Sequence, residues 1–393
     1  MTTPVCRPLT GEAGFLQRWR LMAVTGWAIM FHDRLKLAGT LFGVMFAVVL
    51  VNQQAGTFLG LLDKNRMLID HIDADVWITP PFTEQQIAGK PLDEVVLERA
   101  RGVAGVAWAE PLVLGTASIM LPNGGSEQVS LIGTQAPRFA GGPWNLVRGE
   151  TRSLEQADTV ILEDSQREKF GGLNYGSVRE LNGHRIRVAG FTWGLTPFAP
   201  PYGFAEIKLA RDILGVKTTD QSFVLVRVRP GADADQVARS LQALLPETKV
   251  MTKPVYMSTI NRYIMTKTAL GISFGTSALF GLIIGFVTVA LSMFTSVVDN
   301  IRQFGTLKAV GATTADLAML LFTQAVTCAL IGTIIGLWVI AWLADVARSP
   351  NLAIVLPPPL FAISAGLMVV ICVLASLLSL VRLRNVEPAM VFR

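Results

Sequence analysis

At 393 residues, with 51% hydrophobic and 16% charged residues and a mean hydropathy of +0.47, the chain is apolar enough to hold membrane spans and too polar to lie wholly in a bilayer. Its formal charge of +5 and isoelectric point near 9.2 raise the question of an anionic partner. The basic residues flank apolar runs and come with no aromatic-basic patch or nucleic-acid motif, which excludes nucleic acid in favour of lipid headgroups.

Residues 1–36 form a cytoplasmic N-terminus. Within it Phe15, Trp19, Met22, Ala23, Trp27, Met30 and Phe31 recur at helical spacing, interleaved with Arg18, Arg20, His32 and Arg34. That pattern predicts an amphipathic helix lying in the membrane interface; a helix packed on a cytoplasmic partner is the alternative. The first apolar run starts too far from Met1 and is too long for a cleavable signal peptide, so the first span is expected to target the chain.

No charged residue occurs between Lys36 and Asp63, Lys267 and Asp299, Asp316 and Asp345, or Arg348 and Arg382. Each gap exceeds the roughly 20 residues needed to cross a bilayer as a helix. Four spans follow, at 37–62, 268–298, 317–346 and 360–381, the last delayed by Pro357, Pro358 and Pro359. A short extracytoplasmic loop, 347–359, precedes it, and 382–393 form a cytoplasmic C-terminus. The second span, at about 46 Å as a helix, is longer than a hydrocarbon core of about 30 Å, and the excess suggests a stalk.

Between the first two spans, residues 63–267 carry 23 Lys or Arg against 23 Asp or Glu, so the net positive charge lies outside this stretch. Basic residues collect before span one, between spans two and three, and after span four, and only Arg348 falls on the other side. The positive-inside rule then places both termini in the cytoplasm and 63–267 outside it. Strands are predicted at 75–79, 106–114 and 223–229 and helices at 92–101 and 233–245, giving an α+β sandwich completed by both ends of the domain. A β-rich insertion, about 119–209, makes a second subdomain. Its aromatic, proline-rich segment from Trp193 to Phe204 suits either an adaptor or lipid-like cargo, or a packed hairpin.

Catalytic chemistry is poorly represented. His32, His71 and His184 lie far apart, and the three cysteines, Cys6, Cys328 and Cys372, leave the exported domain without a disulfide. No zinc-protease helix, nucleophile elbow or phosphate-binding glycine loop is present, so no metal, cofactor or enzymatic activity is expected of this chain. Glycines in the spans are more informative. Gly39 and Gly43, Gly271 and Gly275, Gly281 and Gly285, and Gly332 and Gly336 are spaced to let helix backbones approach, either within the chain or across a homodimer.

The hairpin 299–316 between spans two and three is short and charged. Its core, Arg302-Gln303-Phe304-Gly305-Thr306-Leu307-Lys308-Ala309-Val310-Gly311-Ala312, together with four spans, a large domain between the first two, and the ending Glu387-Pro388-Ala389-Met390-Val391-Phe392-Arg393, resembles the FtsX-like, MacB-type ABC transporter permeases. Gly281-Leu282-Ile283-Ile284-Gly285-Phe286, Phe304–Ala312 and the Pro388-Ala389-Met390-Val391-Phe392-Arg393 ending look most like the DevC-like subgroup.

That resemblance implies an α+β membrane protein with a MacB-like extracytoplasmic domain, multi-pass in the inner membrane. It implies that the hairpin is a coupling helix docking on a separate cytoplasmic ABC ATPase through Ile301, Arg302, Phe304, Gly305, Leu307, Lys308 and Gly311. It also implies a homodimer, with Gly271, Gly275, Gly281 and Gly285 in helix packing or at the dimer contact. ATP binding would close the dimer and move the exported domains. Export of a lipid, glycolipid or hydrophobic compound would pass through a periplasmic adaptor and an outer-membrane duct. The alternatives are an FtsX-like transmitter that regulates cell-wall hydrolases and a LolC/LolE-like extractor of lipoprotein or lipid.

Overall fold

The computed structural model describes residues 12–81, 83, 91–196, 200–309, 312–346 and 354–384. In chain order they form α1 (Glu12–His32), α2 (Arg34–His71), β1 (Val76–Thr79), β2 (Leu92–Asp93), α3 (Glu94–Arg101), β3 (Val106–Met120), β4 (Ser126–Thr134), β5 (Leu146–Arg148), β6 (Thr159–Glu163), β7 (Val178–Leu181), β8 (His184–Thr192) and β9 (Tyr202–Glu206). There follow α4 (Ile207–Leu214), β10 (Asp220–Gln221), β11 (Phe223–Val228), α5 (Ala234–Leu244), β12 (Lys249–Thr252), α6 (Lys253–Lys267), α7 (Ala269–Asp299), α8 (Ile301–Ala309), α9 (Thr314–Val346) and α10 (Pro358–Arg384). The described residues separate into a helical unit, up to Phe58, from Ser273 to 346 and from Ile354 onward, and an α+β unit, Leu59–Ile272.

Four helices are long and apolar enough to cross a membrane: Arg34–His71, Ala269–Asp299, Thr314–Val346 and Pro358–Leu377. In the helical unit glycines fit α7 and α9 against α2, while α1 and α10 pack on α9. A Cβ placed on Gly285 would lie 2.6 Å from that of Ala47, and one on Gly281 3.2 Å from that of Leu50. On α9, Gly332 and Gly336 meet Val44 and Val48 as closely, at 2.7 and 2.8 Å between Cβ positions. Gly43 is placed against Thr288, whereas Gly39 and Gly275 have nothing near them. Gly271 lies against the Met265 carbonyl in the α+β unit. Gly281 and Gly285 are thus consumed by packing inside the chain, which removes them as dimer contacts. Glycine spacing alone carries no information on which helix approaches, or on whether one does: Gly39 and Gly275 share the spacing and meet nothing.

Helix α1 also departs from expectation. It packs along α9: Gln324 Nε2 donates to the Gly26 carbonyl at 2.8 Å, Trp27 Nε1 to Thr327 Oγ1 at 2.9 Å, and Met30 is buried beside Cys328. A small residue at Gly26 permits this contact, and the apolar face read as lipid-facing is split between α9 and the surface, where Val24, Trp27 and Phe31 remain exposed. The side chains of Phe15 and Trp19 lie outside the described residues.

The α+β unit is organised by one ten-stranded sheet, in the order β12-β1-β11-β3-β4-β9-β6-β8-β5, with β7 pairing β3 and β8. The expected boundary of an insertion at 119 falls inside β3, which runs on and pairs with β4 over nine residues from Leu112↔Thr134 to Met120↔Ser126. Two subdomains appear instead as two cores on one sheet. The first gathers Val76, Ile78, Val226, Val237 and Leu241 under α3 and α5; the second gathers Leu131, Leu162, Phe170, Phe191 and Ile213 beside α4. Asp93, Glu206 and Asp233 cap the three helices by accepting from backbone N–H groups, and Gly215 takes the left-handed conformation that ends α4. Glu163, fully buried, accepts from Ser165 Oγ, Thr192 Oγ1 and the N–H groups of Gly194 and Leu195 at 2.7–3.0 Å. Four donors compensate the desolvated carboxylate and fix the turn carrying Trp193. Residues 197–199 of the aromatic segment lie outside the described residues, and Tyr202 and Phe204 at its end are buried in β9. Near the far edge of the unit Thr268 is extended (φ −99°, ψ 151°), so α7 is not continuous with α6.

Candidate coupling site

Helix α8 follows α7 after a single residue, Asn300. Asn300 N–H donates to the Ser296 carbonyl at 3.2 Å and Phe304 N–H to that of Asn300 at 3.0 Å, so helical hydrogen bonding carries across the joint. At the other end Ala312 N–H donates to the Leu307 carbonyl at 2.9 Å. Thr313 and Asp316 then cap α9 reciprocally: Thr313 N–H and Oγ1 both donate to Asp316 Oδ2 at 2.8 Å, and Asp316 N–H donates to Thr313 Oγ1 at 3.2 Å. The segment is therefore tied to both neighbouring spans by backbone and capping bonds.

The apolar face of α8 points inward. Phe304 is fully buried among Val297, Leu317, Leu320 and Leu321, with Ile301, Leu307 and Met22 partly buried around the same cluster. Gly305 is buried beside it and Lys308 half-buried. Arg302, Gln303 and Thr306 make up the exposed face. The apolar contact that the resemblance implies for Ile301, Phe304 and Leu307 with a partner is made here within the chain. Gln303 and Thr306 lie outside the implied docking set, and polar side chains such as theirs carry no periodic signal. Gly311 lies outside the described residues.

A second polar joint ties α2 to the end of α7. Lys36 Nζ pairs with Asp299 and, at 3.0 Å, with Asp33. The hydrogen bond from Lys36 holds the exposed Asp33 carboxyl below the usual carboxylate range. One turn on, Thr40 and Ser292 share a hydrogen bond. Among the described residues no group of His, Cys, Asp or Glu is arranged to hold a metal ion.

The surface of α7 carries another pattern. Phe280, Ile284, Val287, Leu291, Phe294 and Val298 are 40–63% exposed and spaced four and three residues apart in alternation, the period of a heptad seam.

A model of the MacB-like periplasmic core domain matches residues 37–244, just over half of the chain, and a model of the FtsX-like permease C-terminal region matches residues 275–388. Solved structures similar to the chain include the extracellular domain of the noncanonic ABC-type transporter YknZ from Gram-positive bacteria, at 16% identity and a TM-score of 0.34, covering 45% of this chain and 98% of that one. The periplasmic region of MacB from Actinobacillus actinomycetemcomitans shares 14% identity at a TM-score of 0.37, covering 49% and 95%. A domain of a putative permease protein from Porphyromonas gingivalis shares 16% at 0.31, covering 46% and 89%. Likenesses this loose add nothing to the family assignment, which rests on the two sequence-family models. Among curated proteins no significant relative is found. The two models leave residues 245–274 between them and together reach into both units: the chain belongs to the FtsX-like, MacB-type permeases, the membrane components of ABC transporters.

Proposed function

We propose that this permease transmits motion from a separate cytoplasmic ATPase to its α+β unit and so drives export, with α8 as the docking element. The observation that carries the reading is the division of α8 into a buried anchor and an exposed polar face. Phe304 seats the helix against α9 and the end of α7, and Arg302, Gln303 and Thr306 form the surface a partner meets. A helix so seated passes an applied push to both spans. Ile301, Leu307 and Gly305 act as positioning residues in this account, in place of the direct contact the sequence suggested.

The excess of basic residues near α1, α8 and the C-terminus supports placing these on the cytoplasmic side of an inner membrane, with the α+β unit outside. The heptad stripe on α7 supports a homodimer through that helix, in place of Gly281 and Gly285. The cargo is a lipid, glycolipid or other hydrophobic compound, handed to a periplasmic adaptor and an outer-membrane duct. Likeness to the DevC-like subgroup rests on the motif residues alone.

The test replaces Arg302, Gln303 and Thr306 together by Glu. Co-purification of the ATPase should fall by more than about fivefold, the effect of losing an interface contact worth over about 1 kcal/mol, and transport should fail at unchanged thermal stability. Cysteines at Glu168 and Asp235 should react with an impermeant thiol reagent in intact spheroplasts while one at Gln303 stays protected. Undiminished ATPase binding by the triple variant, or labelling at position 303 alone, would overturn the proposal.

A further inference from the structure

The α+β unit holds a cleft of about 430 Å³, within the range of small-molecule sites. It is lined by His71, the last residue of α2, by Asp73, by Trp108 of β3, by Arg138 and Trp144 from the segment between β4 and β5, and by Thr151. The two tryptophans are held in place. Trp144 stacks on the His71 imidazole with ring centroids 4.5 Å apart and 16° between planes, and its other contacts are Tyr202 and Phe204, at 6.2 and 5.7 Å. The Arg138 guanidinium lies over Trp108, 5.1 Å from the ring centroid.

The charges around the cleft are compensated. Arg138 lies 3.7 Å from Glu110, and Arg227 pairs with Asp73. A free anion would meet the Asp73 carboxylate here, and a cation the Arg138 guanidinium, each already paired outside the lining, so neither gains much. An acyl chain would leave the imidazole, guanidinium and hydroxyl groups of the lining without partners. What remains is a neutral ligand with many hydroxyls and an apolar ring face. Its C–H groups suit the aromatic lining, and its hydroxyls both donate to the Asp73 carboxylate and accept from guanidinium and imidazole N–H.

We propose that this cleft binds the sugar ring of a carbohydrate of about disaccharide size. The binding claim stands whether or not the chain exports anything. Because His71 ends α2 while Trp108, Arg138 and Trp144 belong to the sheet and its loops, a bound sugar bridges the helix end and the β-structure, and displacement of one against the other changes its affinity.

The experiment uses the full-length chain in lipid nanodiscs, with maltotriose, cellotriose and chitotriose as probes in saturation-transfer NMR. Transfer to the ring protons of at least one of them is expected, with affinity reduced about tenfold or more in Arg138→Ala, the effect of losing a charged hydrogen bond. His71→Ala serves as the second variant; both side chains are exposed, and unchanged melting curves verify the fold. Absence of transfer with all three sugars at tens of millimolar, or transfer undiminished in both variants, overturns the proposal. Binding of inorganic phosphate or glucuronate that these neutral sugars fail to displace overturns the ligand class.

Discussion

The two units of this permease are held together by opposite means. In the α+β unit the largest buried side chains fill the core: Trp77 is 1% exposed, with Phe223 and Tyr256 at 5.8 and 5.3 Å between ring centroids. In the helical unit the closest contacts are made where side chains are missing, at Gly281, Gly285, Gly332 and Gly336. Water drives the first arrangement, since each buried ring removes apolar area from solvent. Lipid is as apolar as the helices it surrounds, so α2, α7 and α9 gain instead from backbones drawn close enough for dense van der Waals contact. Removing bulk should break the first unit, and adding it the second.

The sharpest form of this contrast is Trp77→Ala. Truncating so large a core residue costs about 3–5 kcal/mol, which is a large part of a domain's stability. Limited proteolysis should cut within 63–267 while the spans stay protected. A protease pattern identical to that of the wild type would mean that the aromatic cluster is not what holds the sheet to α6.

Gly285→Leu tests the other side with a somewhat smaller effect. The new side chain would start 2.6 Å from the Ala47 Cβ, and overpacking of this kind costs about 1–3 kcal/mol. Gly275→Leu, on the same helix with nothing within 4 Å, is the control and should leave detergent melting unchanged. Equal losses in the two variants would break the comparison, because the cost would then belong to α7 itself and not to its contact with α2.

These tests also mark how far the sequence could be read. Charge-free runs gave the four apolar helices and the polar hairpin directly, since a bilayer forbids charge in its core whatever the neighbours are. Partners were not legible. The stripe Ile301, Phe304 and Leu307 has one periodicity whether it faces an ATPase or Leu317, and the pair Gly281 and Gly285 looks the same against α2 as against a second copy. Only tertiary structure distinguishes these. In the α+β unit the strands at either end are visible from alternation and turn residues, but β3 runs past its expected end at 114 to Met120, through Gly115. That glycine lets Leu214 of α4 approach the sheet, with an added Cβ 2.9 Å from it. The cleft around Trp144 left no mark at all, since its walls come from positions 71 to 151.

The smallest expected effect concerns charge, and it too separates the units. Buried polar side chains in the helical unit, among the described residues, are neutral: Thr40, Asn52, Gln324, Thr333, Ser364 and Ser376. The α+β unit contains Glu110 on β3, whose side chain is 18% exposed and whose carboxyl is pushed above its ordinary range by burial, with Arg101 and Arg138 only partly offsetting this. A carboxyl raised in the folded state favours folding while protonated, so its contribution is complete below the unfolded value and is lost as pH rises through the folded one. Glu110→Gln mimics the protonated form at every pH. Relative to the wild type the variant should therefore gain stability as pH rises from about 4 to about 7, by less than about 1 kcal/mol, and the gain should grow in an Arg138→Ala background, where the offsetting charge is gone. Thermal melts of the full-length protein, followed by proteolysis of 63–267, give the comparison. A variant that loses relative stability over this interval would mean that the attraction of Arg101 and Arg138 outweighs burial, and that this edge of the sheet is held by its charges.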